Sequence, residues 1–204
     1  MSEVSATQVR ELRDKTGAGM MDCKRALAES GGDLDKAVIY LREKGLSAAA
    51  KRSARVASEG VVGSYIHAGG KIGVLIEVNC ETDFVARTTE FQELTKDLAM
   101  QVAASNPRYV RREEVPPQLI EAERTIYRAQ ASGSGKPAQL VEKIVDGKVE
   151  KFFADVCLLE QSFIRDPQRA IGQLVTDAIA RTGENIVVRR FARFQLGDSS
   201  EPAD

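Results

Sequence analysis

The sequence predicts an α+β protein: an N-terminal three-helix bundle, then a three-stranded antiparallel sheet packed with helices and a short antiparallel helical hairpin. Three observations carry this. Residues 1–45 space their apolar side chains three and four apart between glycine punctuation marks, the pattern of short amphipathic helices. Residues 61–79 and 185–196 alternate with the period of two that a pleated strand requires. Between those strands lie long helical stripes that open at Thr82 or at prolines.

Composition bounds the function. A chain of 204 residues, 43% hydrophobic, holds one large or two small domains with a core. It has no apolar run of membrane-spanning length and no apolar leader at its start, so a cytoplasmic protein that does not enter a membrane is expected. Lys plus Arg (29) nearly cancels Asp plus Glu (30), so no global field favours direct nucleic-acid binding. Cys23, Cys80 and Cys157 are odd in number and far apart, as reduced thiols are.

Taken in order, the first helix runs from about Ser5 to Thr16 and turns Val9 and Leu12 inward; Gly17-Ala18-Gly19 ends it. The second starts near Met21 with Cys23, Ala26, Leu27 and Ser30 on one face. Met20 and Met21 cannot both enter one stripe. Either one of them is exposed as an adaptable apolar contact, or both fill gaps in a thin core. Asp33 caps a third helix with Leu34, Ala37, Val38 and Leu41 inside, and Gly45 stops it. Residues 46–58 are small and basic and read as a linker, part of it helical. There Lys51, Arg52 and Arg55 either touch RNA or form a solvated face.

A core domain over 59–197 follows. Its first two strands, Val61–His67 and Lys71–Asn79, form a hairpin around Ala68-Gly69-Gly70. Thr82 then caps a helix from Asp83 to about Ala104 with Phe91, Leu94, Leu98 and Val102 as its stripe, and Asp83 sits against the positive end of its dipole. Asn106-Pro107 breaks it. A helical hairpin spans about 116–154: Pro116-Pro117 opens one arm, Ser132–Gly135 is a flexible turn, and Pro137 starts the return. Phe152, Phe153, Val156, Leu158 and Leu159 are too continuous for a one-sided stripe, so that end is buried. Asp166-Pro167 starts a helix to Arg181. Gly183-Glu184 turns into a last strand, Asn185 to about Leu196, and 198–204 is a disordered tail. That strand is apolar on both faces, with Ile186 and Val188 opposite Val187 and Phe191. Helices cover one face; a second copy of the sheet would cover the other as an isologous homodimer.

Phe84 admits two readings. In an ideal helix it lies seven residues before Phe91 on the core stripe, yet a first-turn residue can project past whatever the helix packs on.

No catalytic, cofactor or metal motif is apparent, so an enzyme is not expected. Gly133–Pro137 fails as a phosphate loop, because Gln130 replaces its first Gly and Pro137 the hydroxyl that would hold magnesium. Gly17-Ala-Gly19 follows a helix, not a strand. His67 has no acidic or cysteine neighbour at ligand spacing, and Cys80 falls on the apolar strand face.

Two stretches resemble a known family. Glu77-Val-Asn-Cys-Glu-Thr-Asp-Phe-Val-Ala-Arg87 and Leu12-Arg-Asp-Lys-Thr-Gly-Ala-Gly-Met-Met-Asp-Cys-Lys-Arg-Ala-Leu27 look like the second and first signatures of the elongation factor Ts family, the guanine nucleotide exchange factors of elongation factor Tu. The bundle itself resembles ubiquitin-associated domains. The resemblance implies a factor of protein biosynthesis that binds Tu carrying GDP and promotes exchange for GTP. It implies that Phe84 enters a pocket of Tu near the switch and magnesium region, anchored by Asp83 and flanked by Thr82 and Val85. Arg13, Met20 and Met21 are implied to touch a helix of Tu's nucleotide-binding domain. Short members, with one core subdomain, are implied to pair. Two other classes compete: a bundle that tethers partners through Met20 and Met21, and an RNA adaptor built on Lys51, Arg52 and Arg55.

Overall fold

The computed structural model describes residues 4–132 and 137–198. The expected turn at 133–135, the failed phosphate loop up to Lys136 and the tail beyond Asp198 lie outside them. The fold is α+β, as the periodicities predict: eight α-helices, an antiparallel three-stranded sheet and a two-stranded hairpin among the described residues. The chain divides into two compact units. One comprises Met1–Val61, Val78–Leu94 and Leu174–Val187; the other comprises Val62–Glu77, Thr95–Gln173 and Val188–Asp204.

In the first unit, α1 (Ala6–Thr16), α2 (Met20–Glu29) and α3 (Leu34–Arg52) enclose Val9, Leu12, Cys23, Ala26, Leu27 and Ala37. Ser5 and Gln8 cap α1 reciprocally: the Ser5 hydroxyl accepts the Gln8 N–H at 3.2 Å and Gln8 Oε1 accepts the Ser5 N–H at 3.1 Å. Gly17 closes α1 at φ 68°, where a Cβ would be strained, and donates to the Arg13 carbonyl at 2.7 Å.

Gly45 does not stop α3, contrary to the sequence reading. The helix passes through it to Arg52, which shortens the expected linker. Gly45 is buried, and a Cβ there would lie 3.7 Å from Cβ of Ala180 on α8 (Ile171–Thr182). Packing against a neighbouring helix outweighs the roughly 1 kcal/mol that a mid-helix glycine costs.

The sheet runs β1 (Glu59–Ile66), β2 (Ile72–Cys80), β5 (Val187–Gln195) in that order. Val74, Ile76, Val78 and Cys80 point inward from β2 and are essentially solvent-free. The outer face carries exposed apolar side chains among the described residues. Val62 and Ile66 of β1, Leu75 of β2 and Phe194 of β5 are exposed on it. Two contacts show that these residues share a face. Ile66 Cδ1 lies 3.1 Å from where a Gly73 Cβ would stand, and Arg190 pairs with Glu77 at 2.7 Å.

Within the second unit, a Cβ on Gly63 would collide with the Thr95 methyl of α5 (Thr89–Ser105), so the sheet approaches that helix closely here. Buried Gln101 of α5 is fully occupied: its Nε2 donates to Gln161 Oε1 and the Ser162 carbonyl, both at 3.1 Å, and its Oε1 accepts the Ile164 N–H at 2.9 Å. These bonds position a short hairpin, β3 (Ser162–Phe163) and β4 (Asp166–Ala170). Asp166-Pro167 therefore lies in a strand and not at a helix start; α8 begins at Ile171. Two residues of β3 are too few to show a periodicity. The helical arms α6 (Pro117–Ser132) and α7 (Ala138–Val156) share a core of Ala131, Val141, Val145, Val149 and Phe153. Arg124–Asp146 and Arg128–Glu142 pair across them, each at 2.7 Å.

Candidate functional site

Strand β2 delivers the chain to a short joint. Cys80, its last residue, is buried, and its thiol donates to the Thr82 carbonyl at 3.1 Å. Burial pushes that thiol's pKa up, and the charge of Glu184 adds to the shift. Thr82 has extended backbone angles, and its hydroxyl accepts the Val85 N–H at 3.4 Å as the N-cap of α4 (Asp83–Ala86). Asp83 pairs with Arg87 at 2.8 Å, one turn on.

The helix expected from Asp83 to about Ala104 is broken after Ala86. Thr88 makes the break: its hydroxyl donates to the Val85 carbonyl at 2.7 Å and accepts the Phe91 N–H at 3.3 Å, a cap for the new helix α5. The interruption destroys the seven-residue phase between Phe84 and Phe91. Phe91 is 1% exposed, whereas Phe84 is 77% exposed, so the core reading of Phe84 is excluded. Val85 and Ala86 are buried beside it and root the single turn.

The underside of this joint is held from far away in sequence. Glu184, 103 positions after Glu81, accepts the N–H groups of Glu81 and Thr82 on Oε2, each at 3.1 Å. Its Oε1 accepts the Thr82 hydroxyl at 2.6 Å. Glu81 reciprocates by accepting the Asn185 N–H at 2.6 Å, and Arg55 lies 3.5 Å from the same oxygen. Asn185 is buried and ties back to the Arg55 carbonyl at 2.8 Å. Three residues before Glu184, Arg181 pairs with Glu90 in the first turn of α5. Arg181 also lies under the α1–α2 loop, with its Cδ 3.4 Å from where a Gly17 Cβ would be.

That loop carries the other group of sequence-predicted residues. Arg13 is exposed in the last turn of α1; Met20 and Met21 open α2, 47% and 70% exposed. The gap-filling alternative therefore fails for both methionines, since α2 buries Cys23, Ala26 and Leu27 instead. All seven predicted residues belong to the first unit: Thr82, Asp83, Phe84 and Val85 on one turn, Arg13, Met20 and Met21 around one loop.

Glu81, Glu184, Asn185, Arg55 and Arg181 were not legible as site residues. Gly183-Glu184 reads locally as a turn, and nothing nearby shows where the carboxylate goes. Only the Thr88 break had a usable signal, a hydroxyl followed by Glu90 before an apolar stripe. Elsewhere, His67 is exposed with its Nδ1 3.1 Å from the Tyr65 hydroxyl. Among the described residues no group of three His, Cys, Asp or Glu is arranged to hold a metal. No described helix is long and apolar enough to cross a membrane.

Comparison with known proteins agrees with the two signatures. Residues 33–198 match the family model described as elongation factor TS. The chain is 61% identical over 195 residues to the elongation factor Ts of Citrifermentans bemidjiense, covering 96% of this chain and 90% of that one. It is 59% identical over 198 residues to that of Geobacter sulfurreducens, covering 97% and 92%. With that of Desulforamulus reducens it shares 58% over 201 residues, covering 98% and 93%. An exposed aromatic on a clamped turn, both signatures in order, and relatives matched along nearly their whole length lead to one conclusion: the chain belongs to the elongation factor Ts family.

Proposed function

We propose that this member of the family binds elongation factor Tu carrying GDP and speeds the nucleotide's release, in the cytoplasm where Tu works. No bond is made or broken, so the protein is an exchange factor and not an enzyme. The observation that carries the reading is Phe84, 77% exposed at the tip of a four-residue helix whose next two residues are buried. An aromatic ring held in water by a rigid support is suited to filling a pocket on another protein. In this reading Phe84 enters Tu near its switch and magnesium region, with Asp83, Thr82 and Val85 supporting it. Arg13, Met20 and Met21 grip a helix of Tu's nucleotide-binding domain, and residues 1–45 act as a ubiquitin-associated-like module.

The mechanism is linkage. If the factor binds best to a Tu conformation that holds GDP poorly, it must weaken GDP by the same coupling free energy by which GDP weakens it. Burying one Phe contributes roughly 1.5–3 kcal/mol, about ten- to a hundredfold. The ring alone cannot supply a larger acceleration, so the loop contacts must hold Tu while it inserts. The exposed apolar residues of the outer sheet face support a homodimer in which a second copy covers Val62, Ile66, Leu75 and Phe194. Stopped-flow release of labelled GDP from Tu tests the exchange reading. The full chain should accelerate release and Phe84→Ala should slow it with an unchanged melting temperature; equal rates for the two would refute the insertion.

A further inference from the structure

We infer that Glu184 is a positioning residue for Phe84, acting through the backbone and hydroxyl of the β2–α4 joint. This rests on the exchange reading above. Helix α4 has only four residues, and so short a helix is unfavourable to nucleate alone. Its direction must be imposed by groups outside it. The carboxylate of Glu184 receives three of the joint's donors, the N–H groups of Glu81 and Thr82 and the Thr82 hydroxyl. That hydroxyl is also the cap of α4, accepting the Val85 N–H. By accepting the hydroxyl's hydrogen bond, Glu184 leaves an oxygen lone pair free to face α4, so one carboxylate sets the Thr82 rotamer and the cap together.

The corner that presents Glu184 is itself anchored. Gly183 adopts φ 77° and donates to the Ile179 carbonyl at 3.0 Å, ending α8 in a left-handed turn. The Glu184 N–H then donates to the Thr182 hydroxyl at 3.3 Å, and Asn185 is fixed by Glu81 and the Arg55 carbonyl. Two carboxylates, Glu81 and Glu184, thus stand in one joint. The N–H groups they accept and the nearby Arg55 offset their charges. Charged acceptors bonded to backbone donors are stronger than neutral ones, which suits a support that must not yield when a ring is pushed into a partner. A turn held this way loses less conformational freedom on insertion, so the support favours the bound state without touching it.

The test is a double-mutant cycle on GDP release from Tu, read at saturating factor and at half-saturation. Glu184→Ala should slow saturated release by about tenfold while the half-saturating concentration moves less than threefold or so, because the Arg13, Met20 and Met21 contacts survive. In a Phe84→Ala background, Glu184→Ala should slow release no further. Glu184→Gln, which keeps one acceptor oxygen, should fall between, and it carries the cycle if the alanine variant does not fold. Equal slowing by Glu184→Ala with and without the Phe84 ring would overturn the positioning role while leaving the insertion intact. A Phe84→Ala variant that exchanges at the wild-type rate would sink both.

Discussion

The turn at Phe84 and the outer face of the β1–β2–β5 sheet both leave apolar side chains in water, but they are built differently. Phe84 stands singly, on one helical turn held from beneath by hydrogen bonds to Glu184. On the sheet, Val62, Ile66, Leu75 and Phe194 lie as a patch on regular backbone. A single ring on a polar support makes a small, directional contact that can be made and released repeatedly. A flat apolar face makes a broad contact whose stability comes from area. Exposure by itself does not distinguish the two. What lies behind the side chain does: hydrogen bonds that set an angle, or a strand ladder that sets a plane.

The comparison can be broken most forcefully at the sheet. Leu75→Glu places a carboxylate in the middle of the patch, and burying it unpaired between two copies should weaken self-association by about a thousandfold or more. Analytical ultracentrifugation reads this as a shift to monomer. A wild-type chain that is already monomeric at high concentration would remove the patch as a self-interface. The same charge should leave the monomer folded, because Leu75 faces water there. Next in size is Phe84→Ala, with GDP release slowed about ten- to a hundredfold. Little loss of stability is expected, since the exposed ring buries little in the free protein. If its melting temperature instead falls as far as that of a core truncation, the ring is structural and the contrast between the regions collapses.

Behind the sheet patch the packing is tight, and Gly63→Val should show it. The added branches meet the Thr95 methyl, so overpacking should cost about 1–3 kcal/mol in chemical denaturation. A neutral result would mean that the sheet can shift on α5 and is a less rigid plane than the turn at Phe84 is a support. The smallest effect belongs to Cys157, under the helical hairpin, whose pKa burial pushes up from 9.0 to about 11, with Glu160 adding to it. The folded state keeps this proton while the unfolded chain gives it up. Its stabilisation is complete below pH 9.0 and is lost as pH rises towards about 11. Melting temperatures across that range should decline less in Cys157→Ala than in wild type. Parallel declines would show that the thiol is not the group responsible.

Much of the fold is written locally. The stripes of α1 and α2, the alternation of β2 and the prolines that open the helical hairpin each depend on residues within a few positions of one another. Their existence and type follow from side-chain spacing and turn chemistry. The Glu77–Arg87 stretch was legible in the same way, as a strand feeding a capped helix. The path through Gly45 was not, because it depends on Ala180 coming to lie beside it. Nor was the β4 strand, whose partner β3 has only two residues.

The site divides along the same line. Spacing placed Thr82, Asp83 and Phe84 at the start of a helix, but left the ring's direction open between core and solvent. The Thr88 hydroxyl ended that helix after Ala86 by local bonds, and tertiary structure fixed the turn's setting by bringing Glu184 and Asn185 under the joint. The physical reason is range. Periodicity records which face of an element prefers to leave water, and neighbours along the chain are enough to express it. A carboxylate that satisfies backbone donors 103 residues away leaves no trace in its own surroundings until folding brings the two together.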